Sequence, residues 1–150
     1  MDNRLTPESF DIEGIICPRI DDPRMIREGY SQYTTDESRF QGNYPQRIYF
    51  PRTTLEVASA VTEVAQRGEK MTISGARTGI VGGAAPQDSA GLLCLENLTF
   101  EPTLRSNESS GRWTVTVAAG TTVEELQRRL RTREYRTERR TVNGGQKDPP

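Results

Sequence analysis

Histidine is absent from the 150 residues. That absence removes Ser-His-Asp and Cys-His catalysis, imidazole metal sites and attachment of a cofactor through an imidazole. Cysteine is nearly as scarce. Cys17 and Cys94 lie far apart and fit no CxxC spacing, so two reduced thiols in a reducing cytoplasm are the expectation. No apolar run approaches the roughly 20 residues of a membrane span, and the opening MDNRLTPESFD lacks the apolar stretch of a secretory signal. Charge of one sign is also missing: 20 basic residues face 21 acidic ones, for a formal charge of −1. That balance argues against a nucleic-acid binder or a membrane-surface protein working by bulk charge.

What is present is the alternation of strand and helix signals. Residues 1–44 read as a polar outer arm with one short helix, for which Asp22 is the cap and Pro23 the first position, where a missing N–H costs nothing. RIYF, from Arg47, reads as a strand ended by Pro51. TTLEVASAVTEVAQRG follows as a helix, with Thr53 and Glu56 spaced as a capping box and Gly68 at the expected C-terminal stop. Its apolar face is expected to carry Val57, Val61, Val64 and Ala65. KMTIS and GLLCL are two further strands. RWTVTVAAG alternates Trp113, Val115 and Val117 against Thr114 and Thr116, and TTVEELQRRL reads as a helix capped by Thr121 with Glu124, its stripe being Val123, Leu126 and Leu130. The order is β-α-β-loop-β, so the fold class is α+β with an α/β-like first half. Leu92, Leu93, Leu95 and Val115 are candidates for the core or for a surface awaiting a partner, most of them core.

Between the second and third strands lies SGARTGIVGGAAP. Glycine has no Cβ and accepts positive φ, so GxxxGxxGG lets successive amides face an anion; a cheap turn is the alternative. Neither familiar phosphate motif fits. A Walker loop needs a lysine that is not there, and a dinucleotide fingerprint needs GxGxxG opening a helix, which Pro86 and Gly91 oppose. An anion loop here has to join strand to strand.

The run FPRTTLEVASAVTEVAQRGEKMTISGARTGIVGGAAPQDSAGLLCLENL, followed by WTVTVAAGTTVEELQRRL, resembles the FAD-binding domain of the vanillyl-alcohol oxidase/p-cresol methylhydroxylase superfamily. Within it, the similarity is to FAD-linked oxidases such as the glycolate oxidase flavoprotein subunit and D-lactate dehydrogenases, whose glycine loop resembles RGAGTGLSGGA. The resemblance runs from about Arg47 to Leu130, and TTDESRFQG also resembles the segment upstream. It implies the first βαββ subdomain of a p-cresol methylhydroxylase-type FAD-binding domain, laid out as an arm (1–44), a partial FAD-binding domain (45–131) and a divergent polar tail (132–150). It implies that Ser74, Gly75, Ala76, Arg77, Thr78, Gly79, Gly82 and Gly83 wrap the FAD pyrophosphate, Thr78 adding a hydroxyl. Arg77 stands where the family often has glycine, either pairing with a phosphate or simply exposed. Without histidine, FAD held here is expected to be non-covalent.

The resemblance further implies a longer enzyme in which the flavin oxidises a 2-hydroxy acid and hands electrons to an unknown acceptor. A second FAD-binding stretch and a substrate domain would lie beyond this N-terminal part, so the chain by itself should be inactive and bind FAD weakly or not at all. The face left without its second subdomain should favour dimerisation or aggregation. No catalytic residue and no metal site are expected. Asp36, Glu37 and Glu96 are conceivable bases, but exposed loop carboxylates are the plainer reading. Arg128 to Arg140 holds seven arginines and two glutamates, and the arginine-rich stretch after Leu130 reads as a solvated or disordered tail or as a prematurely ended frame. Two other functions stay open: a non-redox nucleotide or phosphate module using the same loop, and an inactive fragment whose arginines contact an acidic partner.

Overall fold

The computed structural model describes residues 11–88, 91–107 and 111–138. It divides into two compact units, at Leu98 and Thr99. Helix and sheet are mixed in both, as an α+β fold requires.

The first unit is built on a four-stranded sheet. Its strands are β1 (Arg19–Ile20), β2 (Arg47–Tyr49), β3 (Met71–Ser74) and β4 (Gly91–Cys94), in the order β1-β2-β4-β3. β4 runs parallel to both β2 and β3, pairing Ile48 with Leu92 and Ile73 with Leu93, whereas β1 is antiparallel to β2. A central parallel strand is covered on both faces, so it reads as a continuous apolar run rather than an alternation; all four residues of β4 are buried. Residues 11–44, expected as an outer arm, supply the edge strand β1. The Arg19 guanidinium fastens it by a two-pronged bond to Glu63, at 3.0 and 2.8 Å.

Each face of the sheet has its own core. On one side Tyr49 and Leu93 pack against Cys17, Ala60 and Val64, with Val57, Met71 and Leu95 around them. On the other, Ile48, Leu92 and Cys94 meet Ile26 and Tyr33. Each such aliphatic side chain contributes about 1.5–3 kcal/mol by leaving water. Leu92 and Leu93 are therefore core, as expected, and half-buried Leu95 packs against it.

Two helices cover those faces. In α1 (Pro23–Gly29), Asp22 accepts from the N–H groups of Arg24 and Met25 at 2.8 and 3.1 Å, and Pro23 takes the first position. A 3₁₀ turn, Ser31–Thr34, follows and brings in Tyr33. In α2 (Thr54–Gln66) the capping box of Thr53 and Glu56 is formed in both directions. Its end is a Schellman motif: Gly68 at φ +65°, with the N–H groups of Glu69 and Gly68 bonded to the carbonyls of Val64 and Ala65. The buried stripe is Val57, Ala60 and Val64, so Val61 and Ala65 lie outside it. Both sets keep spacings of three and four from Val57, and the side turned to the sheet is the one that carries Ala60.

In the second unit β5 (Thr103–Asn107) pairs antiparallel with β6 (Arg112–Thr116) and parallel with β7 (Arg136–Glu138), and α3 (Val123–Thr132) lies between β6 and β7 in the chain. β5 has no counterpart among the strands read from the sequence. Val115 is 39% exposed, so it is not core. The cap of α3 is Thr122, accepting from Glu125 N–H at 3.1 Å, rather than Thr121 with Glu124. Both registers satisfy the T-x-x-E spacing, but Thr121 N–H is committed to a turn with the Ala118 carbonyl. Val123 and Leu130, of the expected apolar stripe, are exposed. Of the expected polar tail, Thr132 closes α3 and residues 136–138 are strand, while 139–150 lie outside the described residues.

Candidate functional site: a pinned glycine loop

Because β3 and β4 are parallel, the chain must return from the end of one to the start of the other. Such a return is commonly made by a helix. Here, across the described residues 75–88, it contains no helix and no strand. A long irregular crossover carries many backbone polar groups that need partners, and it is held in place from below by residues 33–42.

Asp36 is the first support. Its carboxylate accepts from Ser38 N–H at 3.0 Å, closing an Asx turn, and from the Ser38 hydroxyl. The other oxygen receives the Ala84 N–H at 3.4 Å. The Ser38 hydroxyl bond, with the amides behind it, holds the Asp36 carboxyl below its ordinary value. The clamp is therefore intact at and above the ordinary aspartate range and is lost only as pH falls through the lowered value. Accordingly, the Ala84 amide shift in an NMR titration should stay constant from neutral pH to the point where an exposed aspartate titrates, and move only below it. Movement at the exposed-aspartate value would refute the clamp.

Arg77 is the second. Its backbone is left-handed, φ +57°, and its carbonyl accepts from Glu37 N–H at 3.1 Å. The guanidinium lies over the Tyr33 ring, 4.2 Å from the centroid, donates to the Gly75 carbonyl at 3.3 Å and faces a Glu96 oxygen at 3.6 Å. Tyr33 in turn donates its hydroxyl to Glu96. Burial first, and that hydrogen bond second, push the phenol up, so it stays protonated and donating. The guanidinium is thus half-buried and committed within the protein, neither simply exposed nor free.

Two of the nearby glycines have reasons internal to the fold. A Cβ on Gly42 would lie 2.3 Å from the Pro86 carbonyl oxygen, and Gly82 has φ +75° with Phe40 against it. Gly75, Gly79 and Gly83 have none: none has positive φ, and an added Cβ would meet nothing within 4 Å at Gly75, the Asp36 carboxylate at 3.8 Å at Gly79, and Val81 at 4.0 Å at Gly83. Among the described residues, no group accepts from the N–H of Thr78, Gly79, Ile80, Val81 or Gly83.

Of the residues read from the sequence, Ala76, Thr78, Gly79 and Gly83 are exposed, Gly75 and Arg77 are half-buried, and Ser74 and Gly82 are buried. The Ser74 hydroxyl reaches only the carbonyl of Gly75, at 3.5 Å. Asp36 and Glu96, taken for exposed loop carboxylates, are instead bound into the supports; Glu37 is exposed. Tyr33, Phe40 and Gly42 as loop supports had no reading in the sequence. Only the D-x-S of Asp36 and Ser38 carries a local signal, that of an Asx turn. Both thiols are buried, and burial pushes Cys17 up to about 11 and Cys94 in the same direction. Among the described residues no three Cys, Asp or Glu side chains gather to hold a metal, and no helix is long and apolar enough to cross a membrane.

The fold is similar to that of two solved proteins. Aclacinomycin oxidoreductase aligns with a TM-score of 0.57 at 17% identity over 79% of this chain. CrmK, described as a flavoenzyme involved in the shunt product recycling mechanism in caerulomycin biosynthesis, aligns at 0.56 with 22% identity, also over 79%. The chain spans 22% of the length of each. At such identities the likeness is one of fold. A search of curated proteins finds no match. The family model described as FAD binding domain matches residues 45–141, well over half of the chain and including the whole glycine loop. The chain belongs to the FAD binding domain family.

Proposed function

We propose that the loop from Ser74 to Gly83 holds the pyrophosphate of FAD through its backbone amides, within an FAD-dependent oxidoreductase. The observation that carries this reading is the set of glycines the fold does not need. Gly75, Gly79 and Gly83 border open space, and the amides between them have no acceptor among the described residues. Side chains there would fill the room an anion occupies, and unpaired amides are what an anion binds. Thr78, exposed on the same stretch, adds a hydroxyl donor.

FAD, when bound, supplies the hydride acceptor, and the protein's share is orientation and electrostatics. Attachment would be non-covalent: these residues include no imidazole, and both thiols are buried and protonated, so neither offers an accessible thiolate. The resemblance of SGARTGIVGGA to the loops of glycolate oxidase and D-lactate dehydrogenase flavoproteins supports a 2-hydroxy acid as substrate of the complete enzyme, with electrons passing to a second acceptor.

The test is titration of the chain into FAD, read as quenching of flavin fluorescence, with FMN and ATP as competitors. Weak, saturable quenching that FMN and ATP displace poorly is the expected result. FMN lacks the pyrophosphate and ATP the flavin ring. Displacement by ATP with the affinity of FAD would favour a non-redox phosphate module, and no quenching would overturn binding by this loop alone.

A further inference from the structure

We propose that Arg77 and Asp36 form a preset clamp that fixes the glycine loop in its anion-receptive shape before any cofactor arrives, with Arg77 acting through the loop rather than by touching a phosphate. The inference rests on the function proposed above and specifies how that site is built.

Both ends of the open stretch are tied to one short segment. At the entry, the Arg77 guanidinium stacks on Tyr33 and faces Glu96 while its carbonyl takes the Glu37 N–H. At the exit, Asp36 takes the Ala84 amide. Residues 33–37 thus act as a template beneath the loop, and the amides of Thr78 to Val81 lie between the two ties. The left-handed backbone of Arg77 is costly for any residue with a Cβ, so a side chain stays there only if its own contacts offset that cost. Glycine would adopt the same φ freely but could make none of them. A carboxylate and an aromatic face already satisfy the guanidinium. Fixing the loop in advance lowers the ordering cost that binding would otherwise meet.

The alternative is an arginine that leaves Glu96 to pair with a phosphate. Glu96→Gln separates the two by sign. It removes a competitor if Arg77 contacts the anion, and it loosens the clamp if Arg77 acts through the loop.

The experiment uses Arg77→Ala and Glu96→Gln in the full chain, with thermal melts as the check on folding. Without ligand, NMR should show the Glu37 and Ala84 N–H groups exchanging about tenfold faster in both variants, with lower order parameters at residues 78–81. FAD quenching should weaken by about tenfold in both. Unchanged exchange and order in the free chain would overturn the clamp, and so would tighter FAD binding by Glu96→Gln. Gly79→Val run alongside separates the two levels. If that variant binds FAD normally, the function proposed for the loop fails. If it does not bind while Glu96→Gln binds more tightly, only the clamp fails.

Discussion

Gly79→Val is expected to reduce FAD affinity by at least about 100-fold, equivalent to roughly 2.7 kcal/mol, with helix content and melting temperature essentially unchanged. The reasoning starts from what surrounds the glycine. Its φ is outside the left-handed region, and a Cβ there meets only the Asp36 carboxylate, at the ordinary contact distance of 3.8 Å. The protein itself therefore tolerates a side chain. A bound pyrophosphate does not, because the two methyl groups would occupy the space its oxygens need to reach the amides of Thr78 to Val81. Titration by flavin fluorescence and circular dichroism on the same sample check the two halves of the statement. Normal binding by the variant would remove the loop from the site.

Gly42→Ala is expected to do the reverse, destabilising the fold by about 3 kcal/mol and lowering the melting temperature by about 10 °C. The new Cβ would lie 2.3 Å from the Pro86 carbonyl oxygen and 3.0 Å from both the Pro86 nitrogen and the Thr34 carbonyl. These are backbone atoms, so no rotamer change relieves the clash. Separating the strands of chain also strains the Gly42 N–H bond to Thr34, 2.8 Å, and the Asn43 N–H bond to Pro86, 2.6 Å. Since Pro86 closes the glycine loop, FAD binding measured well below the melting temperature should weaken too. A shift of less than about 2 °C would show that the contact yields cheaply.

The two glycines look alike in the sequence. Each stands in a polar, turn-rich stretch, and composition assigns both to loops. They differ because Gly42 is threaded against a residue 44 positions away, whereas Gly79 faces open space. The same limit explains Arg77. Its place in the loop was legible, but its commitment to Tyr33 and Glu96 was not, since one lies 44 residues before it and the other 19 after. Asp36 was read as an exposed carboxylate because only its Asx turn with Ser38 is local; its bond to Ala84 spans 48 residues.

The sequence by itself determined the local elements and the chemistry that is out of reach. Caps at Asp22 and Thr53 and the stop at Gly68 each arise from contacts within a few residues, and the apolar run of β4 is written in consecutive residues, so spacing alone encodes them. The missing histidine closes off imidazole chemistry for these residues in any fold. Even locally there were ties that sequence could not break, as when Thr121 and Thr122 both had a glutamate three residues on and a turn at Ala118 chose between them. The tertiary structure decided which glycines are needed by the fold and which leave room for a ligand. It also decided that Arg77 supports the loop from within. Those outcomes depend on what long-range packing brings against each backbone atom, and no periodicity or capping pattern records that.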